Sequence, residues 1–376
     1  MEKGVSNSSV RQENRRKLMK LLYWSRGISK QDISIGMRLS MPTVNLLVTQ
    51  LAEDGLIEKR RADASSGGRI PDLLYFKYDA KLAVGVEILT NSCTILIADL
   101  AGNCIARKSV IARFNDGVTY WQGLRALILQ TAQTCNFRPE DILGVGIALH
   151  QGVENYGNVT GLRPGGLSRF SKLDCLLGLP VLVERDANAA GFANVWFGRP
   201  LRDAVYLSVS EEVSGAIITN QRVLHGMDGR SGEFGHMTLV TSGERCACGR
   251  YGCAQLYCST DVLKRAGGGT LEDFFDLMPK SVAAGKAWMV YADRLAALIT
   301  NINIMTDLPV MLGGELGQFI DLFEPDLEQR IESQNPFYTS KVLCRATAVK
   351  DAAATGAALM VTARNLNLLD EPAESL

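Results

Sequence analysis

The sequence predicts an α/β protein in two parts, a winged helix-turn-helix head over residues 1–80 and a larger α/β body over residues 81–376. Two observations carry this reading. From residue 82 onward, apolar β-branched runs alternate with amphipathic stretches, as layered sheets and helices require. Charge is also divided: residues 1–81 hold 15 Lys and Arg against 9 Asp and Glu, and the remainder holds 25 against 31. A basic head on an acidic body fits a head that meets a polyanion.

A chain of 376 residues is too long for one ordinary core. Its 47% hydrophobic and 21% charged content is that of a globular protein. No run of about 18 apolar residues occurs, so no membrane insertion is expected. The polar start MEKGVSNSSVRQENRRKLMK lacks an apolar signal segment, which points to the cytoplasm. Most of the nine cysteines are scattered, and in a reducing compartment they read as small hydrophobes except where they cluster.

In the head, VRQENRRKLMKLLYWSRG spaces Leu18, Leu21, Leu22 and Trp24 as one face of a helix closed by Gly27. Ser29 and Asp32 form a capping-box pair opening a short second helix. Ser40 caps a third, with Pro42 in its first turn, a core stripe of Val44, Leu47, Val48 and Leu51, and Gly55 at its end. A short helix, a tight turn and a capped third helix lay the third element in the DNA major groove. Ser40, Thr43, Asn45 and Gln50 are its groove-facing candidates. Two β-prone segments around Ser-Gly-Gly then make a wing, whose Lys59, Arg60, Arg61 and Arg69 suit phosphate or minor-groove contact. A protein-docking module would share the helices but has no need of the basic wing.

In the body, LAVGVEILTNSCTILIADL reads as a hairpin entering a sheet. An amphipathic stretch at 117–135 precedes the strand DILGVGIAL. PVLVERDANAAGFANVWFG gives a strand, a polar turn and a helix starting near Ala187. AVYLSVS and GAIITNQRVLHG pair as strands, and LPVMLGGEL is a strand running into a glycine turn. No internal repeat is visible by eye. His236 with Cys246, Cys248 and Cys253 offers one nitrogen and three sulfurs, a closed tetrahedral zinc set with no position left for water. The C-x-C spacing is tighter than usual, which leaves free-thiol packing open. Cys258 reads as a bystander.

The order ERDANAA, GEFGH, CACGRYGC and LGGEL behind a winged head closely resembles the ROK family, which includes repressors and sugar kinases. The likeness covers about residues 10–365, and the head matches the family's repressor branch, typified by the N-acetylglucosamine and Mlc-type repressors. It implies an actin-like, sugar kinase-type ATPase body of two α/β lobes: lobe one about 81–195 plus the C-terminal end, lobe two about 196–360. It also implies structural Zn2+ on the His236 and cysteine set.

Against that family's pattern, both phosphate loops depart. The Asp-x-Gly-Gly-Thr hairpin is replaced by GVEILTNS, with Glu87, Leu89 and Thr90 and no glycine pair. Glycine is what lets backbone N–H groups approach phosphate. The second loop reads SVSEEVSG, so Glu211 and Glu212 would each repel a triphosphate by a few kcal/mol at about 4 Å and intermediate dielectric. LGGEL, with Gly313 and Gly314, resembles the adenosine motif kept as a structural turn. The expectation is therefore no enzyme.

The resemblance places an effector against Asp186, Asn188, Glu233, His236 and Gln255. Asp186 matches the catalytic base and would here only accept a hydrogen bond, although an aspartate at that place could equally be a helix cap. Arg185 stands where the family has Asn, Gln255 where it has Glu, and Leu162, near Arg163, at another Asn position. Unmet buried partners cost about 1–3 kcal/mol each, so the effector is expected to be a changed carbohydrate, a sugar phosphate or acid placed near Arg185 or Arg163, or a ligand held more weakly. Expected partners are a double-stranded DNA operator, that effector, a second or fourth copy as homodimer or homotetramer, and, by likeness to the Mlc branch, a phosphotransferase-system protein.

Overall fold

The computed structural model describes residues 7–61, 72–135, 137–150, 173–198, 201–348 and 350–369. Leu162, Arg163 and Arg69 lie outside them. The head opens with α1 (Asn7–Trp24), continues through β1 (Ile28–Ser29), α2 (Lys30–Met37) and α3 (Met41–Glu53), and ends in β2 (Ile57–Arg61) and β3 (Asp72–Phe76). Ser29 Oγ accepts from Asp32 N at 3.1 Å, and Ser40 Oγ from Thr43 N at 3.4 Å, so both caps hold an otherwise orphaned N–H. β1, too short to show in the sequence, pairs antiparallel with β3 and completes a three-stranded sheet in the order β1-β3-β2.

The body holds two five-stranded sheets. The first, β6-β5-β4-β7-β8, comprises β4 (Leu82–Ile88), β5 (Ser92–Asp99), β6 (Cys104–Ile111), β7 (Ile142–Leu149) and β8 (Val181–Arg185). The second, β11-β10-β9-β12-β13, comprises β9 (Ala204–Val209), β10 (Val213–Thr219), β11 (Arg222–Val223), β12 (Val310–Gly313) and β13 (Leu343–Arg345). In each, three antiparallel strands precede two parallel ones, so the strands run in the same 3-2-1-4-5 order. The repeat invisible in the sequence is present in the topology.

Four helices position the sites: α4 (Val118–Thr134) on the first sheet, α5 (Asp186–Phe197), α6 (Val282–Thr306) on the second sheet, and α7 (Ala352–Asn365). α5 starts directly after β8, without the polar turn expected before Ala187. α5 and α7 are rich in alanine and glycine among their buried residues, which lets backbones approach closely. A Cβ on Gly85 would fall 1.8 Å from Ala354 O, and one on Gly356 would fall 1.7 Å from Ala189 O. These contacts tie α7 to the first sheet and to α5, which also packs on β9 and β10.

Head and body share one hydrophobic core. Leu18, Leu22 and Tyr23 of α1 pack with Leu100, Phe192, Trp196 and Leu359 of the body. The Trp24 and Trp196 rings lie 4.9 Å apart, and Tyr23 Oη donates to Leu100 O at 2.5 Å. The α1 stripe therefore serves two purposes, half filling the head and half anchoring it. Among the described residues, no helix is long and apolar enough to cross a membrane.

Candidate effector cleft, metal centre and nucleic-acid interface

On α3 the buried stripe Val44, Leu47, Val48 and Leu51 turns the opposite face outward. Ser40 and Asn45 are exposed there, and Thr43 and Gln50 are half-buried. Ser40 and Thr43 bond each other at 2.8 Å, so both support the helix start as well as facing outward. Asn45 Oδ1 accepts from Lys30 Nζ at 2.6 Å, which leaves its NH2 pointing away from α2's lysine. Leu46 and Thr49 share the exposed face; the same helical period that picked out the core would have placed them there. On the wing, Lys59, Arg60 and Arg61 are exposed, with Arg60 stacked 5.1 Å from the Tyr75 ring centre and paired with Glu58.

The loop after β11 brings His236, Cys246, Cys248 and Cys253 together, with all four ligand atoms within 4.8 Å of one another. Cys246 Sγ lies 3.8 Å from His236 Nδ1, and Cys248 Sγ lies 3.6 Å from Cys253 Sγ. Ligands at Zn–S about 2.3 Å and Zn–N about 2.0 Å in a tetrahedron have edges of this size, so the donor set fits zinc. Gly249 and Gly252 take φ of +90° and +71°, and a Cβ on Gly252 would meet Val240 O at 1.6 Å. Those two residues fold the loop back on its donors. Cys246 N to Arg250 O at 2.8 Å and Arg250 Nη2 to Thr238 Oγ1 at 2.9 Å brace it from outside. Cys258 is fully buried in the second sheet's core and contributes nothing to the cluster.

Between the sheets, β8 and the start of α5 face the segment leading to His236. Arg185, almost wholly buried, ion-pairs with Glu233, and its Nη1 donates to Gly229 O at 3.2 Å and Ser231 O at 3.4 Å. One residue back, Glu184 Oε2 lies 2.7 Å from His225 Nε2. Burial alone would raise the Glu184 carboxyl, but the His225 and Asn188 hydrogen bonds and the His225 charge hold it below the usual range. His150, just past β7, places Nε2 3.9 Å from Asp186 Oδ2 and 3.7 Å from Glu212 Oε2. Three bridges thus cross from the first sheet's strand ends to the second sheet's loops.

The resemblance-derived residues separate on this geometry. Asp186 is the first residue of α5 and not its cap: Oδ1 accepts from the adjacent Ala187 N at 2.7 Å, while Oδ2 lies 3.9 Å from His150 Nε2 in the cleft. Glu233 and His236 lie on the facing segment. Asn188 is buried, its Nδ2 donating to Glu184 Oε1 at 2.8 Å, behind the cleft wall. Gln255 Oε1 accepts from Val213 N at 2.6 Å and its Nε2 donates to Glu211 O at 2.6 Å. A glutamate could not donate to Glu211 O, so the amide suits this loop. Sequence reasoning missed His150, His225 and Glu184, since a strand-end histidine gives no sign of what faces it.

The turns that the family likeness matched to nucleotide-binding loops are held by contacts within the chain. The β4–β5 turn closes on itself with Leu89 N donating to Ser92 O at 2.9 Å, and Thr90 O and Asn91 O accept from Phe114 N and Ala112 N. Glu315 of the LGGEL turn pairs with Lys264 at 2.8 Å and accepts from Thr260 Oγ1 at 2.9 Å. Burial, with Asp186 and Asp351 nearby, pushes Glu87 up to about 7. These polar groups are arranged around one another, with Glu211 also 3.8 Å from Lys264.

A model of the ROK family matches residues 83–364. The xylose repressor of Caldicellulosiruptor bescii is 25% identical over 368 residues, covering 90% of this chain and 92% of that one. Among solved structures, a ROK family transcriptional regulator, homolog of the E. coli MLC protein, superimposes with TM-score 0.77 at 23% identity over 96% of this chain and 98% of that one. A ROK hexokinase from Thermus thermophilus superimposes with TM-score 0.63 at 21% identity over 76% of this chain and 99% of that one. The hexokinase likeness spans the body's fold; the regulator likeness spans head and body.

Proposed function

The chain belongs to the ROK family, and from that premise we propose that it is a cytoplasmic DNA-binding repressor of carbohydrate-metabolism genes whose body senses an effector rather than phosphorylating one. The observation that carries this reading is the shared core of Tyr23, Trp24, Phe192 and Trp196, which packs the winged head against the cleft-bearing body. Asn45 and its neighbours on α3 read base edges, while Lys59, Arg60, Arg61 and Arg69 hold phosphates. Two or four copies place such heads on paired half-sites.

His236, Cys246, Cys248 and Cys253 hold a structural zinc, which fixes the loop and supplies no open coordination position. Because His236 Nδ1 faces the sulfurs, its other nitrogen is left for the cleft, so the metal orients an effector-facing group. A carbohydrate or sugar phosphate would enter between Asp186 and Glu233 and exchange its own hydrogen bonds for the cross-sheet bridges. Opening or tightening that cleft moves the lobes, and operator affinity changes to the extent that the effector prefers one arrangement.

Genomic footprinting, followed by testing substrates of the neighbouring gene products as release agents, tests the proposal; loss of protection by one sugar supports it, and no discrete protected site overturns it. A second reading, implied by the resemblance to the Mlc branch, is control by a protein partner such as a phosphotransferase-system component. In that case no sugar shifts Tm and the partner alone releases the operator. A retained kinase activity is the third reading, and ATP-dependent phosphorylation of any hexose would establish it.

A further inference from the structure

The outward face of α3 is mainly apolar at its middle. At about 100° of turn per residue, Pro42, Leu46 and Thr49 lie within roughly 30° of the direction opposite the buried stripe, and Asn45 and Gln50 flank them at roughly 70°. All three central residues are exposed, and Leu46 shows 46% of its surface where the stripe residues show at most 2%. Met41, 43% exposed, extends the apolar area toward the helix start. We propose that Leu46 reads the 5-methyl group of a thymine in each operator half-site, an assignment that rests on the DNA-binding reading of the head and names the base it selects.

The polar residues of α3 leave that distinction open. Ser40 and Thr43 hydroxyls bond each other at 2.8 Å, and Ser40 Oγ also caps the helix, so both are engaged at its start. Lys30 Nζ donates to Asn45 Oδ1 at 2.6 Å, so the Asn45 amide reaches outward with its NH2. In the major groove an NH2 finds acceptors on adenine N7, guanine N7 and O6, and thymine O4. Asn45 therefore separates these bases from cytosine but not from one another. Only thymine presents a methyl group there, and an apolar side chain is the partner that a methyl group takes. A cytosine facing Leu46 would press its N4 donor against a side chain with no acceptor.

The charges around this face favour DNA over a protein partner. α3 carries no charged residue before Glu53, so nothing on it repels phosphate. Lys30 bonds into the face itself, Arg38 is exposed in the turn leading into α3, and Lys59 and Arg61 are exposed on the wing that follows it. An apolar centre beside phosphate-seeking cations suits a groove floor between two backbones.

Deoxyuridine differs from thymidine by the methyl group alone and keeps O4, so it isolates the contact. The full zinc-loaded chain is titrated by fluorescence anisotropy against the duplex that footprinting recovers, with thymines replaced by deoxyuridine one position at a time in both half-sites. One position should lose about fourfold per methyl group, or about fifteenfold for the symmetric pair. Leu46→Ala should weaken the thymine duplex to a similar degree and bind both duplexes equally, while Leu46→Met keeps most of the difference. The exposure of Leu46 leaves the core intact in both variants. No uracil effect at any position, or a thymine–uracil difference that survives in Leu46→Ala, would overturn the assignment with the DNA-binding reading intact. Unchanged DNA affinity with a lower sedimentation mass in Leu46→Ala would make the face a protein contact and overturn it as well. Failure to recover any discrete duplex would overturn both.

Discussion

Arg185→Met removes the guanidinium that spans the cleft. Its side chain is 6% exposed, Glu233 is 24% exposed, and two backbone carbonyls share the same donor group. Breaking a buried pair from one side costs about 3–5 kcal/mol, and the partial exposure of Glu233 puts this case near 3. Glu233→Gln keeps an acceptor for Arg185 and loses the charge assistance, a cost of about 1 kcal/mol. Arg185→Met with Glu233→Met removes both charges, so its cost falls below the sum of the single Met variants by about 2 kcal/mol. At roughly 2 °C per kcal/mol for a chain of this size, Arg185→Met should lower Tm by about 6 °C and the double variant by clearly less than the sum. Thermal denaturation of the four proteins of the Met cycle measures this. Strict additivity would refute the cross-cleft pairing.

Glu87 supplies a pH test. Its folded carboxyl titrates near 7, above the unfolded 4.5, so stability is fully present below 4.5 and falls as pH rises through 7. The loss approaches about 3 kcal/mol, and Glu87→Gln should remove it, giving a variant more stable than wild type at about pH 8 but not at about pH 4. Parallel profiles of Tm against pH would contradict this. Cys246→Ser should lower bound zinc well below one per chain by elemental analysis and loosen the loop to proteolysis; unchanged metal content would exclude that thiolate as a ligand. Lys59→Gln should reduce the slope of log K against log salt by about 1 with sequence preference kept, whereas Asn45→Ala should cost about 1–3 kcal/mol at the operator and relax that preference. The same slope and specificity change from both variants would undo the division between phosphate and base contacts.

Local structure was legible where a residue's conformation depends on its neighbours in sequence. Ser29 with Asp32, Ser40 with Pro42, and the closing Gly27 and Gly55 located the head's elements because caps and left-handed turns are local. β6 went unread: none of its residues is buried, partly and fully exposed positions alternate along it, and it has no strong apolar run. The duplicated sheet order was hidden because its packing relies on the smallness of Gly85, Gly146 and Gly356 rather than on matching side chains. The α1 stripe was visible, but its second partner, Trp196, is supplied by a long-range contact. The convergence of His236, Cys246, Cys248 and Cys253 was legible from residue type and clustering. The pairing across the cleft was not, since Arg185 and Glu233 are 48 residues apart and neither shows which charge it meets.

Quantitative footprinting of the full chain on the duplex recovered from its own genome tests the central claim most directly. The account predicts a discrete protected site of two half-sites spaced by about one helical turn or a multiple of it, unaffected by ATP and released by a single effector. Uniform, sequence-blind protection, or ATP-dependent turnover of a hexose with no protected site, would contradict it.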